Sequence, residues 1–148
     1  MNRLGMIILA MMFVVACSKK ESHEDHIKEI EEYIEKNNLD AHKTESGLFY
    51  VIEEKGSNKK PNANSFVHVR YTGYLLDGTV FDSNTAGTGL RINLQNVIKG
   101  WTEGIQKFSE GGSGKLIIPP SLGYGSQRTG DIPANSVLVF DIDLVYVE

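Results

Sequence analysis

The spacing of apolar residues changes character along the chain. Residues 6–16, MIILAMMFVVA, are apolar without a break. The next stretch, SKKESHEDHIKEIEEYIEKNNLD, is charged, with Ile27, Ile30 and Ile34 spaced three and four apart. That spacing predicts a helix with a narrow apolar stripe. Ser22 and Asp25 have the form of a capping box, and Glu24 with Lys28 and Glu32 with Lys36 are placed for pairing one turn apart. From Ser46 the period falls to two. GLFYVIEEKG, FVHVRY, YLLDGTVF, GKLIIPP and SVLVFDIDLVYVE each read as strands. In the last, Leu138, Phe140, Ile142, Leu144 and Tyr146 share one face, and Asp141 and Asp143 lie on the other. One buried and one wet face predict an antiparallel sheet. A single helical stripe interrupts the strands: Ile98, Trp101, Ile105 and Phe108 project from one side and turn the only tryptophan inward. The fold class is therefore α+β, an antiparallel sheet covered by one short helix and preceded by an N-terminal helical extension.

The apolar run at 6–16 is too short to span a bilayer but has the length of a signal-peptide core, with Arg3 ahead of it. It ends at VVAC, where Cys17 is the only cysteine and so cannot close a disulfide within the chain. VVAC resembles the bacterial lipobox, although Val14 stands where leucine is commoner. The resemblance implies removal of residues 1–16, lipidation of Cys17 and attachment to the bacterial cell envelope; an uncleaved anchor or a stray thiol is the competing reading. Residues 17–45 then form a lipidated N-terminus and a charged helical spacer, and residues 46–148 form the body. Three isoleucines cannot hold a helix alone, so this helix either docks on the body, pairs with a second copy or serves as the spacer. The stripe is too short for a sustained coiled coil, and a monomer is expected ahead of a dimer.

Charge narrows the partners. Without residues 1–16 the chain keeps 14 basic against 19 acidic residues, a net charge of −5. Such a body offers no electrostatic footprint for nucleic acid, and membrane contact falls to the acyl chains. HEDH, residues 23–26, is read as a solvated polar face, and no metal is expected.

Asp77-Gly78 between apolar flanks signals a hairpin. A two-residue turn pairs Leu76 with Thr79 and, counting back, Gly73 with Asp82. Tyr71, Gly73 and Asp82 then share a face, so the Tyr71 hydroxyl is placed to hydrogen-bond the Asp82 carboxylate. From geometry alone this is either a satisfied structural carboxylate or part of a site. The chain has no nucleophile elbow, zinc helix, P-loop or dinucleotide fingerprint. What remains is a set of aromatic residues, Tyr71, Phe81, Trp101, Tyr124 and Phe140, gathered around the sheet.

The order of the pieces VRYTGYLLDGTVFDS, VIKGWTEGI, LIIPPSLGYGS and IPANSVLVFDIDLV resembles the FKBP-type peptidyl-prolyl cis-trans isomerases, from about Ser46 to Glu148. The resemblance implies a curved antiparallel sheet wrapped over one short helix and an isomerase acting on proline-containing polypeptides, here exported ones. It implies no cofactor, and macrolide inhibitors of the rapamycin type as ligands. Carried over by position, Trp101 is the pocket floor and Tyr71, Phe81, Val97, Ile132 and Phe140 are walls. The Ile98 N–H and Tyr124 hydroxyl are donors to ligand carbonyls, and Asp82 is the carboxylate at the edge. A regular hairpin sends Phe81 to the face opposite Asp82, so the strand must bend or bulge if both reach the pocket. Ile92 stands where the family usually presents a phenylalanine, and Asp131 and Ala134 flank Ile132-Pro133 in a loop that is often more apolar. A non-catalytic chaperone or adaptor using the same pocket is the second functional reading.

Overall fold

The computed structural model describes residues 22–148. The signal-peptide and lipidation assignments, including Cys17, lie outside the described residues.

Among the described residues, one antiparallel sheet forms the body. Its centre is a pair of ten-residue strands, β3 (Phe66–Leu75) and β7 (Leu138–Val147), that pair along nearly their whole length. On one side β7 continues to β6 (Ser113–Ile118), β2 (Phe49–Glu54) and the two-residue β1 (His42–Lys43). The far edge of β3 is shared: β4 (Val80–Asn84) takes its C-terminal half and β5 (Leu90–Asn93) its N-terminal half. β5 was not among the strands expected from the sequence, because four residues give too little alternation to stand out from the surrounding loop.

Helix α2 (Lys99–Gly104) covers the inner face of the sheet and is shorter than its stripe suggests. Ile98 precedes it with extended backbone, a 3₁₀ turn follows at 105–107, and Phe108 stands beyond that. The expected burial nonetheless holds for three of the four stripe residues: Trp101 is 5% exposed, Ile105 0% and Phe108 1%. Close approach explains how so short a helix is held. A Cβ on Gly100 would lie 2.6 Å from Ile118 and one on Gly104 2.6 Å from Leu116, so the helix backbone rests directly on β6.

The outer face departs from the expectation of a wet surface. Helix α1 (His23–Lys36) lies across it, with Ile30 fully buried in a cluster with Phe49, Ile117, Val137 and Val139. Of the roles left open for this helix, the structure shows the first: the isoleucine stripe docks on the body. The cause is visible in LIIPP and SVLVF, where consecutive apolar residues leave Ile117 and Val139 facing outward and in need of cover. The capping box forms as expected, with Asp25 N donating to Ser22 Oγ at 3.3 Å and Ser22 N to Asp25 Oδ2 at 2.9 Å. Lys28 reaches Glu32 at 3.8 Å, and Glu31 reaches across to Lys43 of β1 at 3.2 Å. Where α1 does not reach, the outer face is charged: Arg70 pairs with Asp143 and Lys115 with Asp141.

A second correction concerns the end of β7. His68 pairs with Tyr146 but Val69 with Leu144, so Val145 is an extra residue and the alternation reverses past it. Tyr146 turns outward, 47% exposed, and Val147 takes the inner place at 3%.

Ile30→Ala removes a buried side chain at the α1 interface and is expected to destabilise the full-length chain by about 2–5 kcal/mol, read as a lower denaturation midpoint. A helix acting only as a free spacer would leave the midpoint unchanged.

Candidate functional site

The site begins at the hairpin between β3 and β4. Leu75 N donates to Thr79 O and Gly78 N to Leu75 O, both at 2.9 Å, so the loop is Leu76-Asp77-Gly78 and not the expected two residues. Gly78 supplies the left-handed backbone this loop needs, with φ 89°. Asp77 Oδ1 accepts from Thr79 N at 2.9 Å. The Leu76–Thr79 pair therefore does not form. Farther on, Tyr74 pairs with Val80 but Gly73 with Asp82, which leaves Phe81 as one extra residue on β4. The longer loop and this bulge cancel, so the expected Gly73–Asp82 pair is present. The bulge also resolves the conflict over Phe81, since both Phe81 and Asp82 line the same cavity.

That cavity, about 550 Å³, opens over α2 on the inner face of the sheet. Its aromatic rings meet edge to face. Tyr71 stands 5.1 Å from Trp101 at 89°, Phe140 5.2 Å from Trp101 at 83°, and Phe81 5.5 Å from Phe140 at 85°. Such pairs lock one another's orientation beyond what burial alone provides. Gly73 makes room for them, because a Cβ there would lie 2.7 Å from both Phe81 and Phe140. The Trp101 indole N–H is buried and makes no hydrogen bond with the described residues. The ring is thus held by packing alone.

All ten side chains expected at the site are brought to this cavity. Tyr71, Phe81, Asp82, Trp101 and Phe140 come from the sheet and helix, and Ile92 lies on β5. Val97 and Ile98 come from the segment before α2, which Thr102 Oγ1 secures by donating to Leu94 O at 2.5 Å. Tyr124 and Ile132 come from the long loop between β6 and β7. Sequence reasoning missed Leu90, Asn96, Thr129 and Gly130, which also line it. Leu90 had a signal: it stands two residues before Ile92, and alternation puts both on one face. The other three lie in segments without a period.

The polar groups sit at the rim. Tyr71 Oη donates to Asp82 Oδ2 at 2.7 Å, and Ser83 N donates to Asp82 Oδ1 at 2.8 Å. Burial of the Tyr71 phenol, aided by the hydrogen bond to Asp82, pushes its pKa up to about 12. Tyr71 therefore remains a neutral donor throughout the physiological range. The loop carrying Ile132 is pinned by a two-way bridge, Thr129 N to Ile132 O at 3.0 Å and Ile132 N to Thr129 O at 2.9 Å. Among the described residues no group of three or more His, Cys, Asp or Glu could hold a metal ion. The arrangement is an apolar aromatic cage with a few donors and acceptors at its mouth, suited to a compact apolar ring with polar groups on either side.

Residues 57–145 match the family of FKBP-type peptidyl-prolyl cis-trans isomerases. The chain belongs to that family. The FKBP-type isomerase FkpA of Aeromonas hydrophila is 48% identical over 106 residues, covering 71% of this chain and 40% of its own length. FkpA of Escherichia coli K12 is 44% identical over 104 residues, covering 70% of this chain and 38% of its own length. The crystal structure of Escherichia coli FkpA superposes with a TM-score of 0.74 at 38% identity, over 85% of this chain and 61% of that one. A peptidyl-prolyl isomerase of Pseudomonas syringae gives 0.72 at 31% identity, over 86% of this chain and 97% of that one. The chain thus spans about half or less of the curated FkpA relatives it matches, while its FKBP body has the fold expected.

Two outcomes follow from this geometry. Gly73→Ala drives a methyl group into Phe81 and Phe140; near-ultraviolet circular dichroism should change, and stability should fall by about 1–3 kcal/mol, with the far-ultraviolet spectrum preserved. Because the folded-state pKa of Tyr71 is raised from 10.0 to about 12, its contribution to stability is complete below pH 10 and is lost as pH rises through about 12. Melting temperatures should fall across that window, and the fall should be smaller in Tyr71→Phe.

Proposed function

We propose that this chain is a peptidyl-prolyl cis-trans isomerase that accelerates rotation about Xaa-Pro bonds in exported proteins. The observation that carries the reading is the cage itself, in which Trp101, Tyr71, Phe81 and Phe140 line an apolar space with Tyr124 and Asp82 at its mouth. Rotation of a peptide bond costs about 18–20 kcal/mol because the amide loses conjugation, and at Xaa-Pro bonds the uncatalysed step takes tens of seconds or longer. A twisted amide has less charge separation than a planar one. An apolar enclosure therefore favours the twisted form over the planar ground state, which is the differential binding catalysis requires.

In this reading the proline ring stacks over Trp101, with Ile92, Val97 and Ile132 closing the sides. The Ile98 N–H and the Tyr124 hydroxyl hold carbonyls of the flanking chain, so that rotation occurs with the rest of the substrate fixed. Asp82, already bonded by Tyr71 and Ser83, orients the edge of the pocket. The reaction breaks no covalent bond and calls for no cofactor. Macrolides of the rapamycin type would compete for the same cage. Arg3, the apolar run and Cys17 extend the proposal to a lipid-anchored protein of the bacterial cell envelope.

The test is isomerisation of a cis-enriched Xaa-Pro peptide by the full-length chain. Acceleration is expected, falling at least about tenfold in a folded Trp101→Ala variant, a loss of roughly 1.4 kcal/mol or more in transition-state stabilisation. Asp82→Ala should keep part of the rate. A folded parent that binds proline peptides without accelerating them would instead be a holding protein.

A further inference from the structure

We infer that Asp131 is a specificity-determining residue that makes the pocket prefer proline segments with a basic side chain beside the proline. This rests on the cavity being a proline-binding site and names the class of segment it selects.

The cavity lining holds two carboxylates, Asp82 and Asp131, and no lysine or arginine. The two differ in what they can offer a substrate. Both oxygens of Asp82 accept hydrogen bonds from Tyr71 Oη and Ser83 N. Asp131 is exposed and stands at the tip of a tight turn, next to buried Ile132. The turn is fixed by the Thr129–Ile132 bridge and by Gly130 in the left-handed region at φ 56°. Its backbone is therefore fixed at the edge of the cavity, which leaves an exposed carboxylate within reach of the chain flanking a bound proline.

Arg128 is the one cation close by: its Nε donates to Gly130 O at 3.3 Å, so although it does not line the cavity it offsets part of the Asp131 charge. The other cations are turned away. Arg91 lies between Leu90 and Ile92 on β5, so alternation sends it to the opposite face, where it pairs with Glu148 at 2.6 Å. Lys99 is exposed at the start of α2 and also lies outside the lining. The aromatic cage itself is blind to charge on the residues beside proline, so discrimination between them falls to the rim.

A unit charge about 7 Å from Asp131 in a water-like medium changes affinity about threefold, which would separate lysine from glutamate by about sevenfold; the part offset by Arg128 brings the expected ratio at low salt to about two- to fivefold. At 1 M salt, where the screening length is about 3 Å, most of that difference should vanish.

The experiment titrates the full-length chain with short peptides carrying Lys, Ala or Glu immediately before the proline, and a second series with the same residues immediately after it. Binding is read from Trp101 fluorescence, which requires no turnover, and isomerisation is measured in parallel. In at least one series the lysine peptide should bind about two- to fivefold tighter than the glutamate peptide at low salt. Asp131→Asn should collapse that ratio, and Asp131→Lys should invert it, which a merely damaged loop could not do. Equal binding of lysine and glutamate peptides in both series, or a preference that survives in Asp131→Asn, would overturn the inference while leaving the isomerase reading intact. Charge-selective binding without acceleration would uphold it and remove the isomerase. Binding of no peptide would overturn both.

Discussion

The direct contact between the backbone of α2 and strand β6 is the constraint on which the pocket depends. A helix of six residues has too few internal hydrogen bonds to persist alone, so packing must hold it. Gly100 and Gly104 let its backbone settle onto Ile118 and Leu116, closer than any side chain would allow. That seating fixes the height of Trp101 above the sheet, and the ring can then be met edge-on by Tyr71 and Phe140 from β3 and β7. The buried indole N–H makes no hydrogen bond with the described residues, a cost of order 1–3 kcal/mol that the surrounding packing must offset. Stability is thus given up at the one place where a flat, apolar floor is required.

The sheet makes a matching concession at Gly73. In the middle of a strand, glycine is destabilising relative to alanine by roughly 0.5–1 kcal/mol. Here it sits between Phe140 on one neighbouring strand and Asp82 on the other, with Phe81 bulged toward the space its side chain would fill. One missing methyl group and one extra residue together bring a ring and a carboxylate from adjacent positions to the same cavity. A regular ladder could deliver only one of them.

Legibility in the sequence followed the strength of the local period. The three- and four-residue spacing around Trp101 placed it inward, and the helix that carries it was found even though its true length was not. The Tyr71–Asp82 hydrogen bond was legible from a hairpin count, yet the count succeeded because a longer loop and a bulge shift the register in opposite senses. Phe81 was legible only as a contradiction, and Tyr146 was misplaced because the bulge at Val145 leaves no composition signal. Helix α1 was legible as a helix with a narrow apolar stripe, but whether it docks was left open, because the residues it covers, Ile117 and Val139, are remote in the chain. Tyr124 and Ile132 stand in a loop without periodicity: Tyr124 was legible only as one of the aromatic set, and the place of Ile132 at the cavity came from resemblance to the family alone.

The two layers of the site answer to different physics. The cage is built from rings whose positions are fixed by strand register and helix seating, so altering one disturbs the others and the core beneath them. The rim turn that carries Asp131 is anchored by buried Ile132 and braced by its own backbone bridge. A charge at the tip of that turn, as at Asp131, alters the field over the mouth without touching the packing of Trp101, Tyr71 or Phe140. Binding of the proline ring and choice among its neighbours are therefore separable properties of one pocket, the first set by the interior and the second by a surface that can change independently of it.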